Sequence, residues 1–103
     1  MLHFVKIEDL TRKIVPEVFS EYLESKGWSR IPRDREDIRV YRIERHGILF
    51  QATIPFDREL DLYGLEMYRA ADVVAEVERI LPEQLVARLL GLEKEEIVFV
   101  RIP

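Results

Sequence analysis

The sequence predicts an α+β fold, in which a small, mainly antiparallel sheet of three to four strands carries two to three helices packed on one face. Two runs of β-forming residues flank a two-residue turn, and several other segments repeat apolar residues at helical spacing. Amphipathic helices need an apolar surface to cover, and one face of a small sheet supplies that surface.

The composition predicts one globular domain over residues 1–103. Hydrophobic residues make up 48% of the chain and charged residues 35%, which is typical of folded proteins and not of disordered ones. A chain of 103 residues is too short to build two separate cores. The absence of cysteine excludes a disulfide framework and a thiolate metal site.

The chain is predicted to be cytoplasmic. It contains no apolar run long enough to cross a membrane, and its first residues lack the pattern of a signal peptide. It has no Asn, two Gln and twelve Arg against four Lys, a shortage of thermolabile side chains that favours a thermophilic source.

The first part of the chain predicts a strand and a helix. The run 2–7 is expected to be a short strand. Apolar residues at helical spacing predict a helix over 16–26, which starts on a proline and is followed by Gly27. Trp28 is then expected to fold back onto Leu23, as the residue after such a helix end commonly does.

A polar loop is expected over 29–36, followed by a β-hairpin. The two runs 37–45 and 48–56 are separated by His46 and Gly47, which occupy the position of a two-residue turn. The first run alternates poorly, so a bulge or burial on both faces is expected there. The second alternates well, and its core-facing residues are expected to be Ile48, Phe50, Ala52, Ile54 and Phe56.

Two helices are predicted in the second half. Residues 60–80 carry an apolar stripe at steps of three and four, and Pro82 is expected to end or kink this helix. Gly64 inside the stripe could mark close backbone approach by a partner or ligand; alternatively, the helix begins later or packs tightly against a strand. A shorter helix is predicted over 83–90 and is expected to stop at Gly91.

An acidic cluster follows the hairpin. Asp57, Glu59 and Asp61 could hold Mg²⁺ or Mn²⁺ for phosphodiester hydrolysis, or act as an acid/base pair. Alternatively, Asp57 or Asp61 caps the next helix, where the positive end of the helix dipole stabilises its negative charge. His3 and His46 stand in no metal-ligand spacing, so they indicate no zinc or histidine-based site.

One segment of the chain is rich in arginine. Alternation places Arg39, Tyr41 and Arg45 on one strand face, and together with Arg42 they could contact phosphates while the tyrosine stacks on a base. Acidic residues lie in the same segment, and the formal net charge of the protein is −4. Mutually paired surface charges are therefore the alternative to a nucleic-acid face.

Two short motifs resemble those of a group of small uncharacterised prokaryotic proteins. Tyr22-Leu23-Glu24-Ser25-Lys26-Gly27-Trp28 resembles the helix end of that group, and Pro55-Phe56-Asp57-Arg58-Glu59-Leu60 resembles the turn before its long helix. The resemblance covers about residues 16–80 and implies no activity. Leu62 stands where that group would place an acid before Tyr63, which weakens the idea of a catalytic acidic cluster.

The function predicted from these patterns is that of a non-catalytic protein-interaction module. The chain contains no catalytic or phosphate-binding motif, and no cofactor is expected. After an acidic turn at 93–96, the run 97–102 is apolar on both faces, which is typical of a buried strand or an association surface. A homodimer or a complex with another protein is expected, and nucleic-acid binding and metal-dependent hydrolysis are the alternatives.

Overall fold

The computed structural model describes residues 3–92 and 97–100, which form two separate sheets and four helices. One sheet is antiparallel with strand order β2-β3-β4, and the other is a parallel pair of β1 and β5. The predicted α+β class is confirmed. The elements in chain order are β1 (His3–Lys6), α1 (Ile7–Thr11), α2 (Pro16–Ser25), β2 (Ser29–Ile31), β3 (Ile38–Arg45), β4 (Ile48–Pro55), α3 (Tyr63–Glu78), α4 (Pro82–Leu90) and β5 (Ile97–Val100).

Helix α2 begins and ends as the sequence predicts. Pro16 occupies its first turn, and Gly27 follows its end with a φ of +90°, a conformation that glycine adopts without steric cost. The N–H of Trp28 donates to the carbonyl of Leu23 at 3.0 Å, and both side chains are buried in the core. Trp28 is therefore a packed helix stop.

The hairpin between β3 and β4 is confirmed. His46 and Gly47 have φ values of 53° and 76°, as a two-residue type I′ turn requires. The register runs unbroken from the turn to the far end of the strands, so β3 contains no bulge. Instead it is buried on both faces, with Tyr41 at 0% and Val40 at 3% exposure.

The helices cover one face of the three-stranded sheet, which we call the inner face. It carries Tyr41 and its cross-strand partner Ala52, both buried, and α3 packs against β4. Ile54 is buried on this face, whereas Phe50 and Phe56 are half-buried. Ile48 was predicted to face the core but is 56% exposed, because it lies at the turn, past the region that the helices cover.

Two elements lie where the sequence predicts none. Strand β2 falls within the predicted loop and pairs with β3, and it ends before Pro32, which has no N–H to donate. Helix α1 begins where the first strand was predicted to continue. Its Thr11 hydroxyl donates to the carbonyl of Gly64 at 2.8 Å, so the glycine of α3 lies at a close contact between helices.

The long helix α3 is shorter than predicted at both ends. It starts at Tyr63, and it ends because Arg79 adopts a left-handed conformation with a φ of 59°. The N–H of Ile80 then closes the end by donating to the carbonyl of Ala75 at 3.0 Å. Pro82 therefore opens α4 and does not terminate α3, which corrects the prediction. The stop of α4 at Gly91, with a φ of 68°, is confirmed.

The last described strand does not join the three-stranded sheet. Its register with the first strand aligns His3 with Ile97 and Lys6 with Val100. The predicted first strand thus runs over 3–6 and the last over 97–100. The expected turn at 93–96 and the remainder of the run 97–102 lie outside the described residues.

Candidate functional site

The candidate site is the free edge of β4, together with the flank of α3 beside it. Strand β4 is eight residues long and pairs with β3 on one side. Among the residues that the structure describes, no strand pairs with its other side. A strand edge of this kind presents a row of backbone N–H and C=O groups that can bind another extended chain.

The register determines which backbone groups point outward. Hydrogen-bonded and non-hydrogen-bonded pairs alternate along an antiparallel ladder, and the Phe56 N–H donates to the Asp37 carbonyl at 2.8 Å. Residues two apart share the same direction. Even-numbered residues of β4 therefore bond to β3, whereas Leu49, Gln51 and Thr53 direct their N–H and C=O groups away from the sheet. No backbone hydrogen bond reaches these groups from within 3–92 and 97–100.

Two hollows make the edge accessible. The first has a volume of about 200 Å³ and is lined by Gln51, Ala52 and Thr53 on the strand, and by Glu66, Arg69, Ala70 and Val73 on α3. The second, of about 250 Å³, is lined by Thr53, Pro55 and Glu66, with Arg35, Ile38 and Leu60. Because both hollows are lined by Thr53 and Glu66, they lie next to each other along the edge from Gln51 to Pro55, and together we call them the groove.

The groove carries little net charge. Arg69 and Glu66 form an ion pair of 3.1 Å on the surface of α3, and Arg35 pairs with Asp37 at 2.7 Å beside the second hollow. The hydrogen bond from Arg35 lowers the pKa of Asp37, and the same bond raises the pKa of the arginine. Since each cation has an acidic partner, a bound segment would meet a neutral surface.

Exposed aliphatic side chains surround the two ends of this edge. At the hairpin tip, Ile48 and Leu49 are 56% and 64% exposed. At the other end, Leu60 and Leu62 are 41% and 60% exposed, just before α3. Clusters of this kind mark interaction surfaces more often than isolated exposed side chains do.

The four residues of the predicted nucleic-acid face do not form one surface. Tyr41 is fully buried under α2, so its ring is not available to stack on a base. Arg39 shares that inner face and lies over the Phe56 ring, with 4.4 Å between guanidinium carbon and ring centroid. Arg42 lies on the opposite face and donates to Gln51 Oε1 at 2.8 Å. Arg45 is exposed at the hairpin end.

A polar network occupies the contact between α2 and β3. The Tyr41 hydroxyl donates to Glu24 Oε2 at 2.6 Å and is hydrogen-bonded to the Ser20 hydroxyl, which also accepts from Arg39 at 3.1 Å. Burial raises the pKa of Tyr41, and its bond to the Glu24 carboxylate raises it further. Because Ser20 is buried and satisfied, this network ties a helix to the sheet and offers no exposed nucleophile.

A second network joins three helices. Tyr22 of α2 donates to both carboxylate oxygens of Glu78 on α3, at 2.6 and 2.7 Å, and accepts from Arg88 of α4 at 3.0 Å. Burial, followed by the bond to Glu78, raises the pKa of Tyr22 to about 12. Lys26 lies over the same ring, 5.5 Å from its centroid. Because these contacts join three helices through its hydroxyl, Tyr22 has a structural role.

The acidic cluster is spread over a turn. Asp57 accepts the N–H of Glu59 at 3.0 Å, and the backbone carbonyl of Asp61 accepts from Arg12. Within the described part of the chain, no group of three His, Asp or Glu residues is placed to hold a metal ion. The prediction that Asp57 or Asp61 caps α3 is wrong, since the residue before the helix is Leu62 and no side chain caps it.

Gln51 and Thr53 are the site residues that sequence reasoning did not single out. The sequence did contain part of the information, since the turn at His46 and Gly47 determines which residues of β4 bond to β3 and which point outward. The sequence pattern did not show the strand order, which leaves β4 at an edge of the sheet.

No helix among the described residues is long and apolar enough to span a membrane. Comparison of the chain with protein-family models, with curated proteins and with solved structures gives no significant match. The resemblance to a group of small prokaryotic proteins thus stays a prediction.

Proposed function

We propose that this protein is a non-catalytic interaction module, which binds an extended segment of a partner protein by adding it as a strand to the free edge of β4. The observation that carries the proposal is the groove beside Gln51, Ala52 and Thr53, on a strand edge that no strand among residues 3–92 and 97–100 pairs with. In strand addition, main-chain hydrogen bonds provide affinity, and the side chains around the edge provide specificity.

The groove also defines the chemistry of the bound segment. Its α3 wall includes the half-buried Val73, and its charged residues are already paired. A segment that alternates apolar residues with uncharged polar ones fits this lining. The composition favours a cytoplasmic setting and a thermophilic source for such a module, and the resemblance to small prokaryotic proteins implies a prokaryote.

The proposal can be tested with random peptides displayed on phage and selected against the immobilised protein at low surface density. Gln51→Pro removes an N–H that points away from β3, so the hairpin ladder keeps its bonds, and edge strands tolerate such a proline. We expect selected peptides to bind this variant at least about tenfold more weakly than the wild type, since several edge hydrogen bonds are lost or displaced.

Two control variants separate the backbone from other effects. Gln51→Ala removes the side-chain bond to Arg42 but keeps the outward N–H, and it is expected to bind peptides like the wild type. Arg30→Pro makes the same backbone change on the outer edge of β2, where Ser29 and Ile31 bond to β3 and Arg30 points outward. Peptides that bind Gln51→Pro and the wild type equally, or a selection that enriches none, would overturn the proposal.

A further inference from the structure

We propose that the segment bound at the β4 edge is β4 of a second copy of the chain, so that two sheets join across a two-fold axis at Gln51. This inference rests on the function proposed above. It commits the edge to one occupant and one register, in which Gln51 pairs with Gln51 of the second copy and Leu49 pairs with its Thr53.

The first argument is the symmetry of the edge itself. A two-fold contact requires the same surface on both copies, and the outward backbone groups of Leu49, Gln51 and Thr53 are placed symmetrically about the central residue. This row of outward backbone groups cannot extend further in either direction. At one end the chain turns at Gly47, and at the other Pro55 has no N–H to donate.

The second argument is that the outward-facing positions from Leu49 to Thr53 carry none of the usual protection of an edge. Natural sheets keep free edges from pairing with charged side chains, prolines or very short edge strands. The strand Ile48–Pro55 contains no charged residue. The opposite edge of the sheet is protected in each of these ways, since Ser29–Ile31 is three residues long, has Arg30 at its centre and is followed by Pro32. The contrast assigns pairing to the β4 edge.

The third argument is the apolar surface that this register covers. Ile48 and Leu49 are 56% and 64% exposed in the single chain. In the proposed register the strand of the second copy lies along both residues, with Thr53 of the second copy opposite Leu49.

Disulfide trapping tests this register directly, because the chain contains no cysteine and a single introduced one can form a disulfide between protein chains only with its copy. Hydrogen-bonded residues opposite each other in antiparallel strands have Cα atoms about 5.5 Å apart, which a disulfide can bridge. In the full-length protein, in a glutathione redox buffer, we expect Gln51→Cys to form a covalent dimer on a non-reducing gel.

The controls use the same chemistry at neighbouring positions. Thr53→Cys alone is expected to stay monomeric on the gel, because the two copies of residue 53 would lie about 13 Å apart along the strand. The double variant with Leu49→Cys and Thr53→Cys is expected to form the dimer, since those positions face each other. Arg30→Cys on the β2 edge measures crosslinking by random collision.

The uncrosslinked protein gives a second readout by light scattering after size-exclusion chromatography. We expect a wild-type dimer and a Gln51→Pro monomer. A monomeric wild type whose Gln51→Cys variant is not crosslinked would overturn the dimer, and so would a Thr53→Cys variant that crosslinks as fast as Gln51→Cys. If the dimer is overturned but selected peptides still bind the Gln51→Pro variant more weakly than the wild type, the strand-addition function stands. If neither the dimer nor this peptide binding is observed, both proposals are overturned.

Discussion

At the scale of single residues, the hydroxyl of Tyr41 determines how firmly α2 is held to the sheet. Tyr41→Phe removes its bonds to Glu24 and Ser20, and we expect the free energy of unfolding to fall by about 1–2 kcal/mol. Urea denaturation followed by circular dichroism measures this. The matched control is Tyr68→Phe, since the hydroxyl of Tyr68 makes no hydrogen bond among the described residues. An equal loss in both variants would contradict the assigned role.

The raised pKa of Tyr22 predicts a loss of stability in alkali. Its pKa rises from the ordinary value of 10.0 to about 12 in the folded protein, so above pH 10 the unfolded chain loses its proton first. The stabilisation is complete below pH 10 and disappears as the pH rises through 12. We expect the urea midpoint of the wild type to fall over this range.

The comparison that isolates this residue is Tyr22→Phe. Burial also raises the pKa values of Tyr41 and Tyr63, so the variant still loses some stability as the pH rises above 10. Its urea midpoint is expected to fall less steeply than that of the wild type over the same pH range. Parallel curves for the two proteins would show that Tyr22 does not contribute.

Residue alternation predicted which strand face Tyr41 and Arg39 occupy, but not what covers that face. The alternation of polar side chains that suggested a phosphate-binding surface is equally typical of a strand whose polar side chains hydrogen-bond to a helix, as Arg39 and Tyr41 do here. Val40 shows the same limit on the other face, where it is 3% exposed although its neighbours in sequence are polar. Burial depends on neighbouring elements, and a single-strand pattern contains no information on them.

At the scale of elements, the hairpin turn offers a direct test of backbone strain. An added Cβ at Gly47 would meet nothing within 4 Å, so any cost of Gly47→Ala comes from its φ of +76°. We expect this variant to lose about 1–2 kcal/mol of unfolding free energy. His46→Asn is expected to lose none, because asparagine tolerates the left-handed conformation and is favoured at this turn position.

Thermal denaturation at one protein concentration compares these two variants with the wild type. A fixed concentration is needed because dimerisation makes the midpoint depend on concentration. If Gly47→Ala melted with the wild type, the turn would be relaxing to another type. The hairpin register would then not be fixed by His46 and Gly47.

Elements with strong local signals were predicted, and those without them were missed. The α2 end, the hairpin and the α4 stop each depend on a glycine in a positive-φ conformation that the sequence shows. Strand β2 has three residues, too few for a period, and forms because β3 offers it a pairing edge. The end of α3 depends on Arg79 in a conformation that arginine seldom adopts, so Pro82 gave the wrong boundary.

At the scale of the whole molecule, the two sheet edges differ in what they can bind. The β2 edge is three residues long with Arg30 at its centre, which discourages pairing, whereas the eight-residue β4 edge is uncharged and opens into a groove. The sequence shows both compositions, but the strand order that makes these strands the edges is set by tertiary packing. For this reason the candidate site could be recognised only with the topology in hand.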